Sequence, residues 1–219
     1  LVPCTYSYTV YPPPSYVVSA ASASIFSKAF SFSKEKAARL PSTLYGLIFV
    51  WSIYLTSYLI SKRRLIATYI TAGITFIPQF IFTMSYTNLD AHSIAISGLM
   101  TLAIVKFVLQ PKSNFNKAFV AITSFGLLPL SKYNFFFLLL PVVMVLVYQF
   151  KNKIINTKDL TLLAAWGIGS FIVFSSFWYI RNLVLYHDLF GQSFALKVMS
   201  RYHELGTPLT LNFGTISTF

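Results

Sequence analysis

The chain has 219 residues, 56% of them hydrophobic and only 10% charged, with 22 Phe, 14 Tyr and a formal net charge of +12. That composition excludes an ordinary soluble domain and describes an integral membrane protein. The cations are scattered between apolar runs and form no patch or stripe, which excludes a nucleic-acid footprint and fits loop orientation and anionic lipid.

Residues 1–42 are predicted to lie outside the membrane or at its surface. Tyr11-Pro12-Pro13-Pro14-Ser15-Tyr16 is stiff, because proline fixes its own backbone and pushes its predecessor towards an extended shape. A plain linker reads equally well there. Residues 17–32 are apolar but rich in Ser and Ala, which suits an interfacial helix better than a full span, and residues 34–39 form a charged lead-in.

Six membrane segments are expected in a transmembrane domain over residues 43–180: 43–60, 65–83, 91–109, 118–130, 135–150 and 160–177. Each of the first three approximates the ~20 residues that a helix needs to cross the hydrocarbon core. Pro41 precedes the first span, Ser61-Lys62-Arg63-Arg64 closes it, and Pro78 predicts a kink in the second. Residues 118–150 read either as two short passes or as a re-entrant hairpin, and two passes let the basic residues fall consistently. Trp178 and Tyr179 fit an aromatic interface belt. Residues 181–219 are expected to form a loop segment, with turn signals at His187-Asp188-Leu189-Phe190-Gly191 and Gly206-Thr207-Pro208. The sequence opens with neither Met nor a signal peptide, so a piece of a longer chain is expected.

Short cytoplasmic connections carry the excess of Lys and Arg. Placing Lys62, Arg63 and Arg64 inside puts Lys106, Lys112, Lys117, Lys151, Lys153 and Lys158 inside too, and leaves Asp90, Lys132, Arg181 and Asp188 on the extracytoplasmic side. The longer outer segments hold nearly as many cations, so density rather than number decides the orientation.

Among only five acidic residues, Asp90 alone sits in a polar break joining two apolar spans directly, Met84-Ser85-Tyr86-Thr87-Asn88-Leu89-Asp90-Ala91-His92. An ionisable group at that boundary is a functional candidate. Equally, Asn88 or Asp90 caps the helix that follows, since a side-chain oxygen accepts from its unpaired first-turn amides. A carboxylate with nearby cations suits an anionic lipid-linked substrate: Lys or Arg neutralises phosphate while the carboxylate orients a hydroxyl. A transporter mouth has the same chemistry, and Lys132 and Arg181 read equally well as snorkelling side chains. His92, two positions beyond Asp90, points to the opposite side of a helix. His187 and His203 read as surface histidines and Asp188 as a turn residue. The single cysteine, Cys4, rules out an intramolecular disulfide, and neither it nor the histidines makes a metal-ligand spacing.

An ordered set of motifs carries a family resemblance. It runs through Tyr11-Pro12-Pro13-Pro14-Ser15-Tyr16, Arg39-Leu40-Pro41-Ser42, Tyr86-Thr87-Asn88-Leu89-Asp90-Ala91, Gly126-Leu127-Leu128-Pro129-Leu130-Ser131-Lys132-Tyr133 and Trp178-Tyr179-Ile180-Arg181-Asn182 with His187-Asp188-Leu189-Phe190-Gly191. The chain resembles the GT-C superfamily of membrane glycosyltransferases, in the branch of protein O-mannosyltransferases and the aminoarabinose transferase. The resemblance implies an all-α, polytopic helical bundle in the cell membrane. It implies sugar transfer from a polyprenyl-phosphate donor to a protein, lipid or cell-wall glycan on the extracytoplasmic face. Asp90 matches a catalytic acidic position. Lys132, Arg181, Asn182 and Asn88 match substrate-binding positions, the aromatic-Arg-Asn pattern of Arg181 and Asn182 serving either phosphate contact or structure, and Pro12, Pro13 and Tyr16 match an outer-loop motif near the acceptor. The first-loop acid of the family has no match in the first 34 residues, which contain no Asp or Glu, and is expected upstream of Leu1. Tyr11 stands where a His before Pro-Pro is common. The resemblance fixes no cofactor and leaves a divalent metal open. The alternative class is a non-enzymatic membrane protein, such as a lipid-linked glycan transporter or a polysaccharide-export component.

Overall fold

Helices account for every regular element among the described residues, Pro12 and residues 14–191 of the computed structural model, and no strand occurs there. In order they are α1 (Pro14–Phe30), α2 (Lys34–Ser61), α3 (Arg64–Thr75), α4 (Pro78–Met84), α5 (Leu89–Leu109), α6 (Asn114–Ala121), α7 (Leu139–Lys151), α8 (Thr157–Ser170) and α9 (Ser176–Tyr186). Wider π turns follow α6 (Ile122–Leu127) and α8 (Phe171–Ser175), and tighter 3-10 turns cover Leu128–Leu130 and Tyr133–Leu138. The described residues fall into two compact units, one ending at Trp178 and one starting at Tyr179.

Polarity along α1 and α2 is inside out. On α1 the buried positions are Ser15, Ser19 and Ser22, a face repeating at helical spacing, while Val17, Ile25 and Phe30 are exposed. On α2, Ser42, Ser52, Thr56 and Ser57 are buried while Leu44, Leu47, Trp51 and Ile60 face outwards. Water would oppose that arrangement, whereas hydrocarbon solvates the apolar faces and small residues let backbones approach. A Cβ on Gly98 of α5 would lie 2.8 Å from the Phe49 ring of α2, and one on Gly46 2.9 Å from Met84. Glycine is therefore required for α2, α4 and α5 to pack this closely.

Four helical runs are long and apolar enough to cross a membrane: Lys34–Ser61, Leu89–Leu109, Tyr133–Lys151 and Thr157–Tyr186. The pair α3 and α4, bent by 72° where Pro78 starts α4, makes a fifth. The chain is thus a multi-pass membrane protein. Four or five candidate spans stand where six segments were expected, because the run from Asn114 to Leu130, an unbroken sequence of α6, a π turn and a 3-10 turn, is shorter than each of those four.

Pro41, read as a boundary, lies inside α2, which Ser33 caps. Proline has no N–H to give the carbonyl four residues back. Ser22 of α1 repairs that loss by donating its hydroxyl to Ala37 O at 2.6 Å. Thr87 donates in the same way to Ala38 O, at 2.9 Å.

The apolar core lies around α5, where Ile96, Met100, Ala103 and Phe107 pack with Val120, Leu128, Val142, Ile155 and Leu163. At the far end of α5, Asn116 donates to Lys106 O and Gln110 O and ties α6 to it. There the buried Lys117 pairs with Asp159 at 2.5 Å, and Asn156 and Asp159 form a reciprocal capping box on α8.

Candidate functional site

The site grows from the break between α4 and α5. Asn88 is extended and caps α5, accepting from Ala91 N at 2.7 Å. Its side-chain amide donates to Thr83 O (2.6 Å) and Tyr86 O (3.0 Å), and its own carbonyl accepts from Ser15 of α1 (3.0 Å). One buried residue therefore joins α1, the end of α4 and the start of α5. Asn88 takes the capping duty that the sequence left open between it and Asp90. Its side-chain hydrogen-bonding groups are engaged within the fold, so its service to the site is to hold the first turn of α5.

Asp90, in that first turn, is directed at Lys132 in the turn between the two 3-10 segments. Lys132 Nζ lies 3.1 Å from Asp90 Oδ1, bridging 42 positions of sequence. The side chains are 29% (Lys132) and 43% (Asp90) exposed. An ion pair this open contributes about 0–1 kcal/mol. It is weak enough for an incoming anion to replace the carboxylate on the ammonium, and for a hydroxyl to replace the ammonium on the carboxylate.

The backbone of Lys132 is held independently of that pair. Ser93, one turn after Asp90 and fully buried, donates to Leu89 O and accepts from Lys132 N, both at 3.0 Å. Ser131, also buried, donates to Leu128 O at 2.6 Å. Ser93 was not identified from the sequence, and Ser131 entered only as part of the motif that ends in Lys132 and Tyr133. The signal available was the three-residue spacing of Asp90 and Ser93 on one helix face, which means nothing until the partner loop is known.

His92 turns away from the pair, with its ring edge-on to Tyr45 of α2 at 5.0 Å and no hydrogen bond to either nitrogen. Tyr16 lies in the first turn of α1, beside the Ser15 that reaches Asn88. Pro13 lies outside the described residues. Arg181 and Asn182 belong to the smaller unit. There the Arg181 guanidinium donates to Asn182 Oδ1 (3.2 Å) and lies over the Tyr186 ring (5.6 Å), while Asn182 Nδ2 donates to Leu189 O (3.2 Å). Among the described residues no three His, Cys, Asp or Glu side chains come together as a metal site. Apart from the pair, α1 and α2 enclose an apolar groove of about 460 Å³ lined by Val18, Ile25, Phe26, Leu40 and Leu44.

The family model of dolichyl-phosphate-mannose-protein mannosyltransferases matches residues 12–180. The chain belongs to that mannosyltransferase family. It is accordingly a membrane glycosyltransferase of the GT-C kind. The mannosyltransferase match takes in Asp90, Ser93 and Lys132 and stops one residue short of Arg181. No curated protein and no solved structure matches the chain.

Proposed function

We propose that this family member transfers a sugar, with mannose the first candidate, from a polyprenyl-phosphate donor to a hydroxyl of an extracytoplasmic protein, lipid or glycan acceptor. The observation that carries the reading is the half-open Asp90–Lys132 pair at the head of α5. A donor phosphate is the anion that Lys132 would accept, and sugar or acceptor hydroxyls are the donors that Asp90 would accept from. The groove between α1 and α2 has the apolar lining that a prenyl chain needs. The basic turns at the other end of α5, with Lys106, Lys112 and Lys117, favour that end as cytoplasmic and the Asp90 end as extracytoplasmic.

Chemically the step is an inverting displacement. The acceptor hydroxyl attacks the anomeric carbon and gives its proton to a general base. The bond from that carbon to the phosphate oxygen breaks, with its electron pair leaving on phosphate. Lys132 stabilises the charge as it develops, which is where a fixed cation lowers a barrier most. Asp90 orients the hydroxyls, and Tyr16 sits on the acceptor side.

Transfer of radiolabelled sugar from polyprenyl-phosphate donors, in membranes containing the full-length protein, tests this reading. Lys132→Ala and Asp90→Asn are each expected to lower turnover by about 100-fold while remaining inserted. An active wild type with unimpaired variants would remove the site assignment. No transfer from a broad donor panel would favour a lipid-linked glycan transporter.

A further inference from the structure

We propose that Ser93 is a positioning residue for Lys132: its buried hydroxyl holds the lysine backbone on the same turn of α5 that carries Asp90. The inference rests on the transferase reading of the Asp90–Lys132 pair and assigns a role to a third residue.

Asp90 and Ser93 are three residues apart on α5, so they share a face and differ by about 4.5 Å along the axis. One face thus grips one residue twice. Asp90 takes the Lys132 ammonium at 3.1 Å, and Ser93 takes the Lys132 backbone N–H at 3.0 Å. The two contacts differ in permanence. The ammonium–carboxylate contact is partly exposed and exchangeable with a phosphate oxygen, whereas Ser93 is fully buried. Its hydroxyl proton is committed to Leu89 O, which turns a lone pair towards Lys132 N.

That division matters for catalysis. When donor phosphate replaces Asp90 on the ammonium, the ion pair no longer fixes Lys132 and the Ser93 contact remains. Lys132 also sits in a short turn between the 3-10 segments Leu128–Leu130 and Tyr133–Leu138, where a regular helix does not set its direction. A shift of the turn relative to α5 would misplace the ammonium against the departing phosphate. Because the demand on the cation peaks as the bond breaks, the misplacement registers mainly in kcat.

The test is a double-mutant cycle on the full-length protein in membranes: wild type, Ser93→Ala, Lys132→Ala and the double variant. Radiolabelled polyprenyl-phosphate mannose is the probe, with inserted protein quantified for each. Ser93→Ala is expected to lower kcat by about 10-fold with KM changed by less than about 2-fold. The double variant is expected to match Lys132→Ala, because a residue acting through Lys132 has nothing left to position. Losses that multiply in the double variant would overturn the inference, as would a Ser93→Ala protein with wild-type kcat. Should Ser93→Ala fail to accumulate, Ser93→Cys, whose larger sulfur is too weak an acceptor to replace the hydroxyl oxygen at 3.0 Å, goes through the same cycle under the same criteria. Failure of the underlying reading looks different. Lys132→Ala would then keep wild-type turnover, or the wild type would transfer no sugar from the probe or from any other polyprenyl-phosphate donor of the panel, and both outcomes overturn the two proposals together.

Discussion

Asn88 and Asp90 stand two residues apart and should separate stability from turnover. Asn88 is buried, accepts from Ala91 N and donates to Thr83 O and Tyr86 O. Asn88→Ala removes the cap and leaves both carbonyls without that donor, so it should cost about 1–2 kcal/mol of stability. Asp90→Asn alters a half-exposed pair and should change stability by about 0.5 kcal/mol or less while abolishing most transfer. Thermal unfolding of the detergent-solubilised variants, read beside the transfer assay, checks both. A large loss of stability in Asp90→Asn would recast the pair as a structural tie. The sequence left the break evenly between a functional acid and a plain cap by Asn88 or Asp90, because either side chain suits a helix start. The Ala91 N–H on Asn88 and the Lys132 ammonium on Asp90 separate them.

At the scale of elements, the most informative feature is how the bundle absorbs Pro41. The missing N–H inside α2 frees Ala37 O, and Ser22 of α1 takes it. Ser22→Ala should therefore cost about 1 kcal/mol with Pro41 present. In a Pro41→Ala background the cost should shrink, because the new N–H at position 41 can take the same carbonyl. Chemical or thermal denaturation of the four proteins gives the coupling, and additive losses would show that Ser22 serves some other purpose. Periodicity could not have placed this contact. Proline reads as punctuation in a sequence, and the serine that makes it tolerable lies on another helix. The π turns after α6 and α8 were equally hidden. They meet where Ser175 donates to Gly126 O at 2.6 Å, and a Cβ at Gly126 would lie 2.8 Å from Ser170 Cβ. A widened turn has no hydropathy signature, so the apolar run at 118–130 shows its helical character but not where its winding changes.

Within the larger unit, two ion pairs lie at opposite ends of α5: Lys132 with Asp90 at its start, and Lys117 with Asp159 beyond its end. The proposed orientation assigns one end to each side of the membrane, and single cysteines can report it. In a Cys4→Ala background, cysteines at the exposed Ser85 and Asn134 should react with an impermeant maleimide on intact cells. Those at the exposed Lys112 and Asn152 should react only after permeabilisation. Reaction of Asn134 and Asn152 from the same side would break the alternation. The sequence by itself determined the solvent, the helical class and the family resemblance. Apolar runs of spanning length, basic turns and ordered motifs are local properties that survive without knowledge of which helices touch. It also named Asp90 and Lys132, because alternation across a bilayer sorts residues by side. Tertiary structure alone decided that these two side chains meet, that Asn88 holds the cap, and that Ser93 and Ser22 serve backbones far away in sequence. Those contacts depend on the rotation and depth of each helix against its neighbours. Close packing of small residues such as Gly98 and Ser52 sets both, and no single helix carries that information alone.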